Sequence, residues 1–492
     1  MAPARPMAAG AAGPDGPAVE AMPRATRRLL TAWLGLSLGS LVVAGLFAVL
    51  VALARTPAVQ LLGSSADRFQ FALVGHVTFA LTVWFVAFVG ALWTYAAWRS
   101  GYRLAAGPAW TGFALAAAGG ALMAGPAFTA SGAPYLNDYI PVVDHPVFWT
   151  GLVAAFAGVA LHASGYLAAW WRGRTGPTSD EPVEALALAV AAAALVVAVA
   201  TLALTWLRLD PSGPQALRLR ALVWGAGHLF QFAHTAGMVA VWAVSAAVAL
   251  GAQALPRATR AALWGLLPFL LAGALVYTVW TPEALLVNRV VTWITFLGLG
   301  GPPLVPLLAT AAAVVRARRP RPWSSPLFAG TVLCLALFAL GGAFGVIGFR
   351  QDTRVPAHYH AMVGAVTIAY MGLAPGLLEL TGRRPWRPWL TRWQPYLYGL
   401  GLLGLIVGLY WAGGRGAPRK TIGLSWADAQ ALLAMNLMGA GSVVAVLGGL
   451  AFVLNVGLPL CSRAPRSGPW REVALAGAGR RGDAPAASRV SS

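Results

Sequence analysis

Cysteine, carboxylates and lysine are all scarce in this chain. Only two cysteines, Cys334 and Cys461, occur in 492 residues, and neither forms a CxxC or CxxCH arrangement. Covalent c-type haem attachment and a thiolate metal centre are therefore not encoded here. Charged residues make up only 10% of the chain, Asp and Glu number 15 against 35 Lys and Arg, and Lys420 is the single lysine. What the chain has instead is apolar: 58% of its residues are hydrophobic, in runs long enough to cross a bilayer at about twenty residues each. These runs follow one another closely and leave no room for a separate soluble domain. A net charge of +20 would suit a nucleic-acid binder, but the basic residues lie in tails and short loops, so membrane topology explains them better.

Twelve spans are predicted, near residues 29–54, 69–98, 110–130, 147–171, 184–208, 218–250, 260–280, 288–315, 327–349, 357–381, 395–413 and 430–460. With a cytoplasmic N-terminus, the two tails and the inner loops carry 24 of the 35 Lys and Arg, and the outer loops carry 11. Both termini are therefore placed in the cytoplasm. Arg24, Arg27 and Arg28 ahead of the first run, with Ala52-Leu53-Ala54 after it, imitate a signal peptide; at about 26 residues the run is too long for one, and it reads as an uncleaved span. Residues 1–25 and 463–492 read as disordered tails around one membrane domain, 26–462. No internal repeat is visible.

Histidine carries the chemistry. In Ala357-His358-Tyr359-His360, at the head of the tenth run, the two imidazoles point about 200° apart, to nearly opposite faces of one helix. Such a helix can ligate two different cofactors, and neutral imidazole is a common axial ligand of haem iron. His76 lies early in the second span and His228 about ten residues into the sixth. All three spans run from outside to inside, so the four imidazoles lie in the outer half of the membrane, within roughly 15 Å of one surface. Two readings fit: ligands of haem or metal, or polar groups bonded to carbonyls. The shared depth favours ligation, because packed histidines would scatter. One arrangement follows, in which His76 and His360 clamp a six-coordinate haem, His358 holds a second haem, and His228 approaches its open side.

The other three histidines are weaker candidates. His234, about 240° around the helix from His228, reads as packed or bonded to water, His162 as packed mid-span, and His145 beside Asp144 as a loop anchor or a contact for a partner subunit. Arg415, Arg419 and Lys420 place three cations on the surface above the four imidazoles. They suit the propionates of a haem or, alternatively, a solvated loop.

These residues resemble the large catalytic subunit of the haem-copper oxidase superfamily, cytochrome oxidase subunit I, over about residues 25–460. Ala357-His358-Tyr359-His360 is similar to that family's Ala-His-Phe-His, Trp224-Gly225-Ala226-Gly227-His228 to its Trp-x-x-Gly-His, and Gly416-Ala417-Pro418-Arg419-Lys420 to its Gly-x-Pro-Arg-Arg. The resemblance implies an all-α, twelve-transmembrane-helix bundle binding two haems. It implies His76 and His360 on the low-spin haem, His358 on the high-spin haem, His228 on a copper or non-haem iron, and Arg419 and Lys420 on propionates. The implied activity is an oxidoreductase of the respiratory chain that reduces oxygen. A nitric oxide reductase-like enzyme and a two-haem electron-transfer protein are the alternatives. The implied partners are other respiratory-complex subunits and a donor, cytochrome c or quinol, in a bacterial inner membrane.

The chain also departs from that family. Its seventh-span histidine pair is missing: residues 260–315 contain no histidine, and the corresponding place falls near Tyr277-Thr278. A metal on His228 alone would be under-coordinated. Phe232 stands four residues after His228, with Gln231 before it. Deep spans show no obvious Lys, Asp or Glu, Glu283 and Glu379 lying near span ends, which argues against strong proton pumping. Tyr277, Thr278, Thr281 and water remain as candidate carriers of protons to the chemistry, with Tyr277 the catalytic candidate among them.

Overall fold

A backbone in lipid must satisfy its own hydrogen bonds, and runs rich in Ala, Leu and Val do so as helices. The computed structural model describes residues 22–60, 66–173, 181–250, 255, 257–317, 323–347, 351–420, 422–425 and 427–462. Twelve helices long and apolar enough to span a membrane are found among them. In order they are Arg24–Arg55, Arg68–Arg99, Ala106–Thr129, Pro146–Gly173, Val183–Arg208, Gln215–Val248, Arg257–Val279, Leu285–Arg316, Pro326–Ile347, Arg354–Leu380, Pro388–Gly414 and Ala429–Cys461. All twelve predicted spans are present. The eleventh begins seven residues earlier than predicted, because Pro388 sits at its first turn, where a missing N–H costs nothing. The predicted tails fall outside the described residues, except that the first helix already begins at Arg24.

The eighth span is two helices, Leu285–Gly300 and Leu304–Arg316, broken where Pro302 and Pro303 remove donors. The second is interrupted differently: helix Ala66–Val77 passes into a π-turn, Thr78–Val83, before helix Trp84–Arg99. Within that turn Phe79 O accepts the Trp84 N–H and also the Ser40 hydroxyl of the first span, at 2.6 Å. The second, sixth and tenth spans are the most enclosed, with 72%, 89% and 83% of their apolar windows buried. They are the three that carry the candidate ligands, so the other helices act as their shell.

At the outer end, strands Ala133–Tyr135 and Val142–Asp144 pair antiparallel, with Ala133 opposite Asp144 and Tyr135 opposite Val142. This hairpin holds residues 136–141 against the bundle. The segment after the eleventh span is tied to the head of the tenth by a bridge between Asp352 and Pro418 and by Thr353 N–H on Ala417 O at 3.0 Å. Both outer loops are thereby fixed relative to His358 and His360.

Spans three and four meet backbone to backbone through Gly112 and Gly119 facing Gly158 and Gly151. A Cβ at Gly158 would lie 2.4 Å from Gly112 O, whereas one at Gly165 on the same helix meets nothing within 4 Å. Gly158→Ala is therefore expected to destabilise the protein by about 1–3 kcal/mol, and Gly165→Ala to leave it unchanged. Thermal unfolding in detergent checks this, and equal melting of the two variants would mean that the helices are not this close.

Candidate functional site

All four candidate ligands share one device: Nδ1 faces a main-chain carbonyl. The distances are 3.1 Å from His76 to Ala44 O, 2.7 Å from His228 to Trp224 O, 2.8 Å from His358 to Gly341 O and 2.7 Å from His360 to Pro356 O. A carbonyl only accepts, so each Nδ1 carries the proton and each Nε2 the lone pair. This is the tautomer that a metal ligand with an oriented ring requires. His228 and His360 reach back one turn of their own helices; His76 is held by span one and His358 by span nine. His76 on span two and His360 on span ten, the pair predicted to clamp the low-spin haem, are thus held in the same tautomer. His76, His358 and His360 are half-buried and His228 is buried. Gly345 comes so near His358 that a Cβ there would stand 3.2 Å from the imidazole. Donor chemistry and ring orientation fit two haems.

Above this layer the outer loops close an ion cluster. The Asp138 carboxylate takes the Arg419 guanidinium and, at 2.7 Å, the Lys420 ammonium, which also donates to Leu136 O at 2.6 Å. Burial alone would raise the Asp138 carboxyl, but Lys420 and Arg419 outweigh it and hold it below the ordinary carboxylate range. Burial lowers Lys420, and Asp138 only partly compensates. Tyr139 and Lys420 are two of three described non-glycine residues with positive φ, at 68° and 59°. Such backbone costs on the order of 1–3 kcal/mol and persists only where the surroundings impose it.

Here the surroundings of Tyr139 are span six. Its side chain sits over Gly227, where a Cβ would come within 2.6 Å, and its ring meets His228 edge to face at 4.5 Å. Trp224 lies 4.7 Å from His228 on another side. Tyr277, near the place where the resemblance expects a histidine, brings the end of its ring against Gly225, one turn before His228, with its buried hydroxyl unpartnered. Thr278 turns its hydroxyl to Leu275 O at the surface. The surroundings of His228 do not fit a second metal: its close ring neighbours are aromatic. Among the described residues no three His, Cys, Asp or Glu converge.

His162 is a packed residue, stacked on Trp33 at 5.0 Å with Nε2 near Gly90 O and Thr94. His145 anchors its loop, accepting the Val147 N–H at 3.2 Å. His234 lines a cavity described below. Three residues near the site escape a reading of the sequence. Asp138 and Tyr139 sit in a short polar loop whose only signal is a carboxylate on the same side as three cations. Arg55 reads as the end of span one, yet it donates to Pro418 O at 2.8 Å and lies near Tyr359 and His360. Arg415, in contrast, turns away to Asp428, the cap of the twelfth span.

Comparison with known proteins bears on the family and the fold. A family model described as cytochrome c and quinol oxidase polypeptide I matches residues 28–449. An uncharacterised protein of Aquifex aeolicus (strain VF5) is 29% identical over 356 residues, covering 71% of this chain and 84% of that protein. Cytochrome c oxidase subunit 1 of Thermus thermophilus is 36% identical over 114 residues, 21% of this chain and 20% of that protein. A solved heme-copper terminal oxidase shares the fold, with a TM-score of 0.76 at 16% identity, over 95% of this chain and 89% of that one. With a match that runs from the first span into the twelfth, the chain belongs to the cytochrome c and quinol oxidase polypeptide I family of haem-copper oxidases.

Proposed function

We propose that the chain is the haem-binding catalytic subunit of a membrane respiratory terminal oxidase. In this reading His76 and His360 hold a low-spin haem and His358 holds a high-spin haem, at which oxygen is reduced. The observation that carries it is the common tautomer of the imidazoles, each with Nδ1 on a main-chain carbonyl. When bound, haem supplies one-electron transfer and gas binding. The chain's own part is to orient Nε2, to keep the rings in an apolar layer, and to present Arg419, Lys420 and Arg55 to carboxylates at the outer surface. Asp138 holds the first two of these cations in place. Electrons arrive from outside the chain, from another subunit, cytochrome c or quinol. Both termini lie on the cytoplasmic side.

A second reading, two-haem electron transfer, is favoured by one observation: the aromatic surroundings of His228 offer no cage for a further metal. Metal analysis of the haem-loaded chain followed by a gas-consumption assay separates the two. Two irons and no third metal accord with the ligand set. If purified chain in nanodiscs with reductant then consumes neither oxygen nor nitric oxide, the oxidase reading falls and electron transfer stands. Consumption of nitric oxide alone would make it a nitric oxide reductase-like enzyme.

His76→Ala and His360→Ala are each expected to abolish the low-spin absorption bands while carbon monoxide binding persists, and His358→Ala to abolish carbon monoxide binding while the low-spin bands persist. Reduced-minus-oxidised and carbon monoxide difference spectra read both, and unchanged bands in any variant would remove that residue from the ligand set. Asp138→Asn is expected to loosen the 136–139 loop from Arg419 and Lys420. Because the folded carboxyl is held below its ordinary value, the tie is fully present above pH about 4 and is lost as pH falls through the folded value. Hydrogen exchange of the loop across that window should show increasing opening in the native protein and none in the variant.

A further inference from the structure

A cavity of about 30 Å³ lies one to two turns below His228. It is bounded by Thr82 and its neighbours in the π-turn of span two, by Gly227, Gln231 and His234 of span six, and by Tyr139 of the outer loop. Nε2 of Gln231 and Nε2 of His234 are both buried without a hydrogen-bond partner, and both residues line the cavity. A water needs roughly 10–15 Å³ and two to four polar partners, and unpaired buried polar atoms are rare enough to require an explanation. The Tyr139 side chain, which also lines the cavity, links it to the distal side with its ring against His228. Tyr139 and His234 are the titratable groups of the lining, which holds no carboxylate and no cation. Phe85 packs on His234 at 4.8 Å from span two, and beyond it lies the hydroxyl of Tyr370.

Polar groups continue inward along the same helix. The Tyr370 hydroxyl rests on Gly237, the Trp242 indole donates to Cys334 Sγ at 3.1 Å, and the Ser245 and Thr331 hydroxyls meet at 2.8 Å. From His234 to Ser245 this column spans about 16 Å of helix. It is the inner half of a span otherwise lined by Ala, Val and Met.

We propose that the cavity holds one or two waters bridging Gln231 and His234, and that His234 is a proton station feeding the distal pocket. A proton arriving from the inner column binds Nε2 of His234, giving an imidazolium. The imidazolium then passes that proton to the cavity water as the water releases one of its own toward the Tyr139 and His228 side. His234 returns to neutral and no electron moves in the step. Gln231 orients the water and does not titrate. The proposal rests on the reading that gas reduction beside His358 consumes protons. It gives that consumption a source close to the distal pocket, since the two buried acids among the described residues, Glu184 and Asp352, are each paired with an arginine elsewhere.

The test uses the full haem-loaded chain in nanodiscs, with proton uptake on haem reduction followed by a pH dye in weak buffer. His234→Gln keeps a water partner but cannot hold the proton; uptake should slow by roughly a hundredfold while haem bands and electron transfer between haems stay unchanged. His234→Phe should do the same and also remove the water density that a high-resolution map shows in the native chain. Uptake at the native rate in His234→Gln, or a dry cavity in a native map that resolves other buried waters, would overturn the proposal. If His234→Phe fails to load haem, His234→Gln decides. A native chain that reduces no gas would sink the oxidase reading, yet the water and the redox-linked uptake would be measured all the same.

Discussion

An imidazole inside a membrane has two nitrogens and almost nothing to bond them to. One of the two must be satisfied by the protein before the other can serve a cofactor, and the candidate ligands all meet this constraint with a main-chain carbonyl. The carbonyls differ in origin, and that difference sets the geometry. A carbonyl one turn back on the same helix fixes the rotamers of His228 and His360 locally. For His76 and His358 it comes from spans one and nine, so ring orientation depends on the helices being packed in register. The shell of twelve spans is in this sense what makes the inner three competent. The π-turn after His76 belongs to the same economy of hydrogen bonds: the wider turn leaves Phe79 O able to take the Ser40 hydroxyl of span one, which ties span two to the helix that also holds the His76 ring.

The outer cluster works by the opposite principle, concentration of charge at the edge of the apolar layer. Arg419 and Lys420 would repel each other and lose hydration at this depth, and Asp138 offsets both costs. Positive φ at Tyr139 and at Lys420 shows that the backbone on each side bends to make the contact. The same bend that delivers Asp138 to the cations delivers the next side chain, Tyr139, onto Gly227 and His228. A single short loop thus couples the cations expected to bind propionates to the distal side of the site. No rearrangement of the helices is needed.

Much of this was legible in the sequence because it depends on one-dimensional spacing. Apolar runs separated by arginine-rich loops imply twelve helices, and all twelve are found; His358 and His360 on one helix with His76 and His228 near the same ends of their spans imply a layer. Local motifs around His228, His358 and Arg419 were enough to suggest the family. Asp138, Tyr139 and Arg55 were not legible, because their importance comes from contacts with residues more than 80 positions away, such as Asp138 with Lys420, Tyr139 with His228 and Arg55 with Pro418. The π-turn was hidden for a related reason. Thr78–Val83 contains neither proline nor glycine, and the irregularity is imposed by neighbours. His234 reads from the sequence as packed or in contact with water, but the cavity beside it is a property of two spans and a loop together and has no signal in the spacing.

The substitution of Tyr277 for a seventh-span histidine is the point where fold and chemistry part. A tyrosine side chain is longer than an imidazole, and Gly225 lets its phenol end come directly against span six. Tyr139 and Trp224 cover two sides of His228. The two rings against the imidazole leave little room there for water or a competing ligand. They confine polar access to the side where Gln231 and His234 stand. Whatever protons the distal pocket uses must then come through neutral, hydrogen-bonding groups, because a buried carboxylate without a cation nearby would be too costly to keep.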